Sequence, residues 1–370
     1  MIKFSCEKVF LQNAIAVTSR AVAQKSSIPA LEGLLIHADQ QLTISGYNMQ
    51  TGIRTNVFAN VVEGGDIVLN ARLFGDIIRR MPDDMITFTA DEKMMVHVSC
   101  GDADFDILGL SAADYPDLPE VEDEYAVSMQ QKVLRSMIEE VAFAVSTNES
   151  RPVHTGALFE IADMSLSMVA VDGFRLALRR EPLEHIDGGA FKFVAPGSAL
   201  NEVEKICADT EDMVTVTQGK RHLMFEAGNT QLICRRLEGE FLDYRNAIPT
   251  NNPICLEVDN KTMIESLERV SVVISEKLKS PVRCLFSADK VYMSARTGNG
   301  EARDICPVRG DGKELEIGFN NRYLMDALRY APADTVKMHL NTGISPCIIT
   351  PVDDSDNFIY MVLPVRLKAQ

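Results

Sequence analysis

The 370 residues contain no tryptophan, and no uninterrupted apolar run exceeds the six residues from Phe358 to Leu363. A membrane-spanning helix needs about 20 consecutive apolar residues, so none is expected. The opening MIKFSCEKVF lacks a basic stretch followed by an apolar one, and nothing in it suggests secretion. Eight cysteines (Cys6, Cys100, Cys207, Cys234, Cys255, Cys284, Cys306, Cys347) are scattered without a CxxC pair. That pattern fits small core residues in a reducing compartment rather than a disulfide framework, so a cytoplasmic location is expected. With 22 Gly and 15 Pro, the composition is neither collagen-like nor disordered. The length allows two to four domains.

Motifs for enzyme chemistry are also missing. The six histidines lie far apart, with no HExxH and no His–Cys cluster, so no metal site is expected. There is no GxxxxGK, GxGxxG or GxSxG segment, and neither a cofactor nor a catalytic residue is indicated. Gly298-Asn299-Gly300 reads as a hairpin turn. Acidic neighbours such as Glu139/Glu140 and Glu202/Glu204 diverge on a helix and read as a solvated face. Asp353, Asp354 and Asp356 read as a polar loop.

What is present is a threefold repeat. The helical pattern around Leu11 recurs around Leu134 and Ile264, at spacings of 123 and 130. A second helical pattern begins at Phe74, Leu200 and Leu324, at spacings of 126 and 124. Alternating strand patterns begin at Leu42, Leu166 and Val291, at spacings of 124 and 125. Ser111 to Glu124 and Leu237 to Pro253 read as linkers after the first and second copies. The expected class is α+β, with three repeated domains (1–122, 123–250 and 251–370). Each has two helices packed on antiparallel sheets.

Formal charge is −16, which taken whole argues against a basic nucleic-acid binder. Its placement changes that reading. Helices expected over Glu7–Ala23, Ala71–Met81, Gln130–Val145, Gly197–Ala208, Asn260–Ile274 and Asn321–Tyr330 hold 12 basic and 9 acidic residues. They carry +3 and leave −19 elsewhere, a segregation suited to a polyanion that is enclosed but not gripped.

Four segments carry a resemblance: Ala170-Val171-Asp172-Gly173-Phe174-Arg175-Leu176-Ala177, Glu240-Phe241-Leu242-Asp243-Tyr244-Arg245, Gly318-Phe319-Asn320, and the ending Tyr360 to Leu367. Over its entire length the chain resembles the bacterial DNA sliding clamps, the beta subunits of DNA polymerase III. The resemblance implies a non-enzymatic processivity factor whose three clamp-type domains close, in a head-to-tail homodimer, into a ring around duplex DNA. It implies as partners the DNA polymerase III catalytic subunit, a clamp loader, and other polymerases and repair proteins, with no membrane.

The resemblance further implies a peptide groove formed by His154, Val171, Gly173, Phe174, Arg175, Leu176 and Leu242 on one side. Asn246, Ala247, Asn320, Tyr323, Ile344 and Pro346 form the other, with Met361, Val362, Leu363, Pro364, Val365, Arg366 and Leu367 as the C-terminal wall. Here Phe174 stands where the family has His, Leu242 where Pro is common, Asn246 where Arg is common and His154 where Leu is common, so the rim is altered. Removal of Met361 to Gln370 is expected to abolish peptide binding and spare the dimer. The implied dimer contact sets Phe105, Ile107 and Leu108 against Val272, Val273 and Ile274. Candidate DNA contacts are Arg20, Lys25, Arg72, Arg79, Arg80, Arg135, Arg151, Lys205, Arg322 and Arg329. An alternative of a different class is a repeat-built enzyme or small-ligand protein using the groove around Arg175 and Tyr323.

Overall fold

Each expected helix forms, although several end earlier than their apolar patterns suggest. Helix α1 (Lys8–Thr18) was expected to reach Ala23. Thr18 instead turns its hydroxyl back to the Ala14 carbonyl at 2.7 Å, and the chain tightens into a 3-10 turn over Ser19–Ala21. Helix α2 (Ala71–Arg80) starts at Asn70, whose Oδ1 accepts from the Leu73 amide at 2.9 Å. It ends with Arg79 and Arg80, cations placed at the negative end of the helix dipole. Helices α3 (Gln131–Ala142) and α4 (Gly197–Ile206) follow in the second copy. A four-residue helix, α5 (Tyr244–Ala247), was not expected; it lies in the segment read as a linker and is capped by Asp243. Helix α6 (Asn260–Ser271) is capped by Asp259 and α7 (Asn321–Arg329) by Asn320. The expected extension of α6 to Ile274 becomes tighter turns, with Val272 N–H bonded to Arg269 and Ile274 N–H to Ser271.

The computed structural model describes residues 1–122, 124–187, 189–274, 280–310 and 313–367. Asp123, at the expected first boundary, and residues 368–370 of the expected third domain lie outside them. Among the described residues the repeat is visible as one order of elements used three times. Each copy runs strand, helix, four strands, strand, helix, three strands, giving nine strands per copy.

The sheets do not follow the copies. In the first copy the fifth, first, seventh, eighth and ninth strands form one sheet in that order, ending on Ala103–Leu108. The same five strands of the second copy continue, at their ninth strand (Thr230–Arg235), into the fourth, third, second and sixth strands of the first copy. The resulting nine-stranded sheet joins at Thr230–Arg235 against Thr51–Val57. A second nine-stranded sheet joins the third copy's ninth strand (Phe358–Val362) to the second copy's fourth (Arg175–Pro182). That leaves four strands of the third copy as a smaller sheet ending on its fourth strand, Gly300–Pro307.

The chain accordingly divides into two compact units. One comprises Met1–Arg135, His185–Gly189 and Ala199–Arg236; the other comprises Ser136–Glu184, Ala190–Ser198 and Leu237–Gln370. The first unit has a core between its helices and sheets in which Leu11 and Ile15 of α1 meet Phe74 and Ile78 of α2. Phe4 and Phe88 stack there at 4.5 Å. The core of the second unit that matters for the site gathers Val171, Leu176, Leu178, Tyr244, Ile348 and Met361.

Candidate functional site

The groove residues all belong to the second unit, and strand register explains how distant segments meet. Arg175 lies opposite Val362, and Leu176 opposite Met361. On its other edge the same strand places Val362 opposite Cys347, just after Ile344 and Pro346. Val171, Leu176 and Met361 are buried in one apolar cluster, and Leu363 packs partly exposed against it. The N–H of Leu363 donates to the Phe174 carbonyl at 2.8 Å. Val365 N–H then reaches the Gly318 carbonyl at 2.8 Å. A Cβ on Gly318 would come within 2.7 Å of the Val365 carbonyl oxygen, so a glycine there lets the C-terminal segment lie down.

One wall is aromatic. Gly173, at φ +89, turns the chain between two strands and presents Phe174, which is 58% exposed and stacks on Tyr323 at 5.9 Å. Asn320 caps α7 by accepting from the Arg322 and Tyr323 amides, and so fixes Tyr323 in the first turn of the helix. Behind the pair lies Arg175, its guanidinium 4.6 Å from the Tyr323 ring centroid and 5.3 Å from that of Phe143. Asp172 and Asp326 accept from it at 2.9 and 2.6 Å.

The opposite rim holds a cavity of about 530 Å³ lined by Pro152, Val153, His154, Gly239, Phe241 and Leu242, among others. His154 meets Phe241 edge to face at 5.6 Å. Burial, with the nearby Arg151 charge, holds the His154 imidazole below its ordinary value, so it is neutral at pH 7. Leu242 is 42% exposed on this rim. Asn246 turns its side chain to Asp243 at 2.7 Å. Ala247 ends α5, which Tyr244 and Arg245 anchor through Glu160 at 2.6 and 2.5 Å. Burial lifts the Tyr244 phenol to about 12, aided by that carboxylate.

One point corrects the reading from sequence. Met361 and Val362 are not only a wall: both are buried in a strand paired on each side, so removing them takes out core and sheet. The Arg175 side chain is 9% exposed and is held by Asp172 and Asp326. Sequence reasoning missed Phe143 and Asp326, which hold Arg175, and Phe241, which backs His154. Asp326 stands one helical turn after Tyr323, the spacing that could have flagged it.

The ten candidate cations are all exposed. Several are held by acidic neighbours. Asp76 takes Arg79 at 2.8 Å and Arg80 at 3.4 Å, and Glu202 takes Lys205 at 2.8 Å and Arg20 at 3.6 Å. Arg322 lies 3.8 Å from Asp326, and Arg329 pairs with Glu268. At one sheet edge Phe105 and Leu108 are 40% and 69% exposed. Val272, just past α6, is 83% exposed, and the neighbouring Val273 carbonyl accepts from Thr297 at the start of the hairpin to Gly300–Pro307.

Three family models match in order along the chain: the N-terminal domain of the DNA polymerase III beta subunit at residues 2–119, the central domain at 128–243 and the C-terminal domain at 245–366. The chain belongs to the DNA polymerase III beta subunit family. The beta sliding clamp of Staphylococcus aureus (strain Mu50) is 29% identical over 377 residues, covering 99% of this chain and all of that one. The sliding clamp structure from Bacillus subtilis superposes with a TM-score of 0.94 at 26% identity, over 99% of this chain and 100% of that one. The beta subunit from Thermotoga maritima gives 0.91 at 26% identity, over 100% of both. Family membership makes this chain a clamp-type processivity factor without a catalytic site of its own, in place of the enzyme alternative. Among the described residues no helix is long and apolar enough to cross a membrane.

Proposed function

We propose that two copies of this chain close head to tail into a ring around duplex DNA, and that the ring tethers the DNA polymerase III catalytic subunit through the groove of the second unit. The observation that carries this reading is the pair of unfinished half-sheets. Both nine-stranded sheets are made by a ninth strand joining a fourth strand. Ala103–Leu108 is a ninth strand at a sheet edge, and Gly300–Pro307 is a fourth strand at a sheet edge. A second copy supplies what each lacks, and one contact used twice closes the assembly. Joining also covers Phe105, Ile107 and Leu108 with Val272, Val273 and Ile274, and removes two edges open to aggregation.

Inside such a ring the exposed cations, Arg20, Lys25, Arg72, Arg79, Arg80, Arg135, Arg151, Lys205, Arg322 and Arg329, meet phosphates. Phosphate contact carries no base information, which sliding requires. Retention comes from topology, so the acidic body does not oppose it. The groove offers an apolar floor and an aromatic wall to a short peptide, the usual makings of a peptide anchor. A clamp loader, other polymerases and repair proteins take the same groove in turn. Domain boundaries at 122/123 and 250/251 and a cytoplasmic location complete the proposal.

Sedimentation equilibrium tests the assembly. The expected mass is twice 40.9 kDa. Val273→Ala with Ile274→Ala shifts it toward monomer, since each loses apolar burial of roughly 1 kcal/mol. A wild-type chain that sediments only as a 40.9 kDa species contradicts the proposal.

A further inference from the structure

We infer that the two copies pair in the register of the internal seams, setting Phe105 of one copy opposite Ala302 of the other and Asp104 opposite Arg303. The inference rests on the head-to-tail reading and deepens it, from which edges meet to which residues meet.

The three copies can be aligned strand by strand. Ile53, Ala177 and Ala302 on the fourth strands lie opposite Gly46, Ala170 and Ala295 on the third. Those partners are spaced by 124 and 125, the same intervals as the strand anchors. Thr51, Arg175 and Gly300 are therefore one position. The first strands align at their starts, Ile2, Tyr125 and Ile254, with the third copy one residue nearer than the anchor Ile264 implied. Tracing the ladder from them through the seventh and eighth strands makes Ile107, Cys234 and Val362 another. At one internal seam Cys234 lies opposite Thr51; at the other Val362 lies opposite Arg175. The two seams thus use one register. Carried to the open edges, it sets Ile107 opposite Gly300, Phe105 opposite Ala302 and Asp104 opposite Arg303.

The side chains fit that transfer. At the second internal seam a buried Tyr360 lies opposite Ala177, an aromatic ring against a small residue. Phe105 against Ala302 repeats the pairing, and Phe105 is still 40% exposed in the single chain. At the first seam Arg54 donates to Gln231 at 2.5 Å. Arg303 and Asp104 occupy those two positions, with a full charge pair in place of the neutral acceptor. A slip of two residues in one direction sets Phe105 against the Asp304 carboxylate. A slip in the other sets Asp104 against Glu301. Both are worse, so the register is defined by packing and by charge.

The same register has a cost. Asp106 falls opposite Glu301, two carboxylates on the outer face of the seam. Each has a partner in its own chain: His97 lies 2.9 Å from Asp106, and Arg303 donates to Glu301 at 2.8 Å. Arg303 is therefore shared between its own Glu301 and the partner's Asp104, and the seam closes less tightly than its apolar contacts allow.

Cysteine cross-linking of the full chain reads the register directly. Residues directly opposite in an antiparallel pair have Cα atoms about 4.5–5.5 Å apart, within disulfide range, and a two-residue offset does not. The variant Asp104→Cys with Arg303→Cys is expected to cross-link into a covalent ring under mild oxidation, and Asp106→Cys with Arg303→Cys is not. Single-cysteine variants control for the native cysteines, seven of which are buried. Separately, Glu301→Gln is expected to lower the dimer dissociation constant about threefold. Cross-linking through Asp106→Cys, or through neither pair, in a chain that still sediments as a dimer overturns the register. Unchanged or weaker association of Glu301→Gln overturns the repulsion. A wild-type chain that stays monomeric at micromolar concentration overturns the ring itself, and the register with it.

Discussion

Arg175 donates from Nη1 to Oδ2 of Asp326 at 2.6 Å, joining residues 151 apart in the sequence. The bond sits behind the aromatic wall, so the arginine holds the groove in shape rather than offering its charge to a ligand. Arg175→Ala leaves Asp172 without its cation and Asp326 with only the more distant Arg322, and is expected to cost about 3 kcal/mol of stability, read by urea unfolding. Arg175→Lys keeps the charge but loses the planar stack on Tyr323 and Phe143, and recovers only part of that loss.

On the proposed function, the Phe174–Tyr323 stack is expected to set what the groove accepts. Phe174→Ala exposes one face of Tyr323 and weakens an apolar peptide by about 1 kcal/mol, roughly fivefold in affinity. Phe174→His, toward the family residue, alters the ranking of peptides and leaves the dimer mass unchanged. Fluorescence anisotropy with a set of labelled peptides, each with a Gln followed by an aliphatic–aromatic pair, measures both.

Truncation separates wall from core. Deleting Pro364 to Gln370 removes the Val365–Gly318 bridge and is expected to weaken peptide binding while the chain stays folded. Deleting from Met361 removes two buried residues of a central strand and is expected to unfold the second unit. Circular dichroism melts of the two truncations, beside peptide titrations, distinguish the cases.

Peptide affinity should also fall in acid. His154 has a depressed folded value, so its neutral form is favoured near neutral pH and the stability tied to that form is lost as pH falls through the folded value. An apolar peptide over the His154–Phe241 rim opposes protonation further. Affinity is therefore expected to decline from neutral pH to about pH 5.5, and His154→Leu to flatten that decline. Titrations of both proteins across this range check it.

Much of this was legible in the sequence because it depends on local order. The repeat, the helix starts and the Gly298-Asn299 hairpin each follow from residues close in the chain. Helix ends were less legible: the Thr18 back-bond ends α1 although the apolar pattern runs on to Ala23. The floor of the groove was readable from Val171, Leu176 and Met361 only through the resemblance, since their meeting depends on pairing between strands 185 residues apart. The sharing of sheets between copies was not legible, and the hold on Arg175 was hinted at only by the Tyr323–Asp326 spacing, which does not say that Arg175 reaches it. Both arise from long-range register, on which a local pattern has no bearing.

Acidic residues on the helices restrain the cations. Glu202 engages Arg20 and Lys205, and Asp76 engages Arg79 and Arg80. Glu202→Gln and Asp76→Asn are expected to strengthen binding to open DNA and to steepen its salt dependence by about 0.9 for each further phosphate that the released cations neutralise. Affinity measured across a salt series gives the slope.

The central claim is that retention on DNA is topological, and linearisation tests it most directly. Clamp loaded onto a nicked circular plasmid by its loader is separated from free protein by gel filtration, before and after a single restriction cut. Encirclement predicts that the clamp stays with the circle and runs off the cut DNA within the same time. Equal retention on both, or equal loss from both, would contradict it.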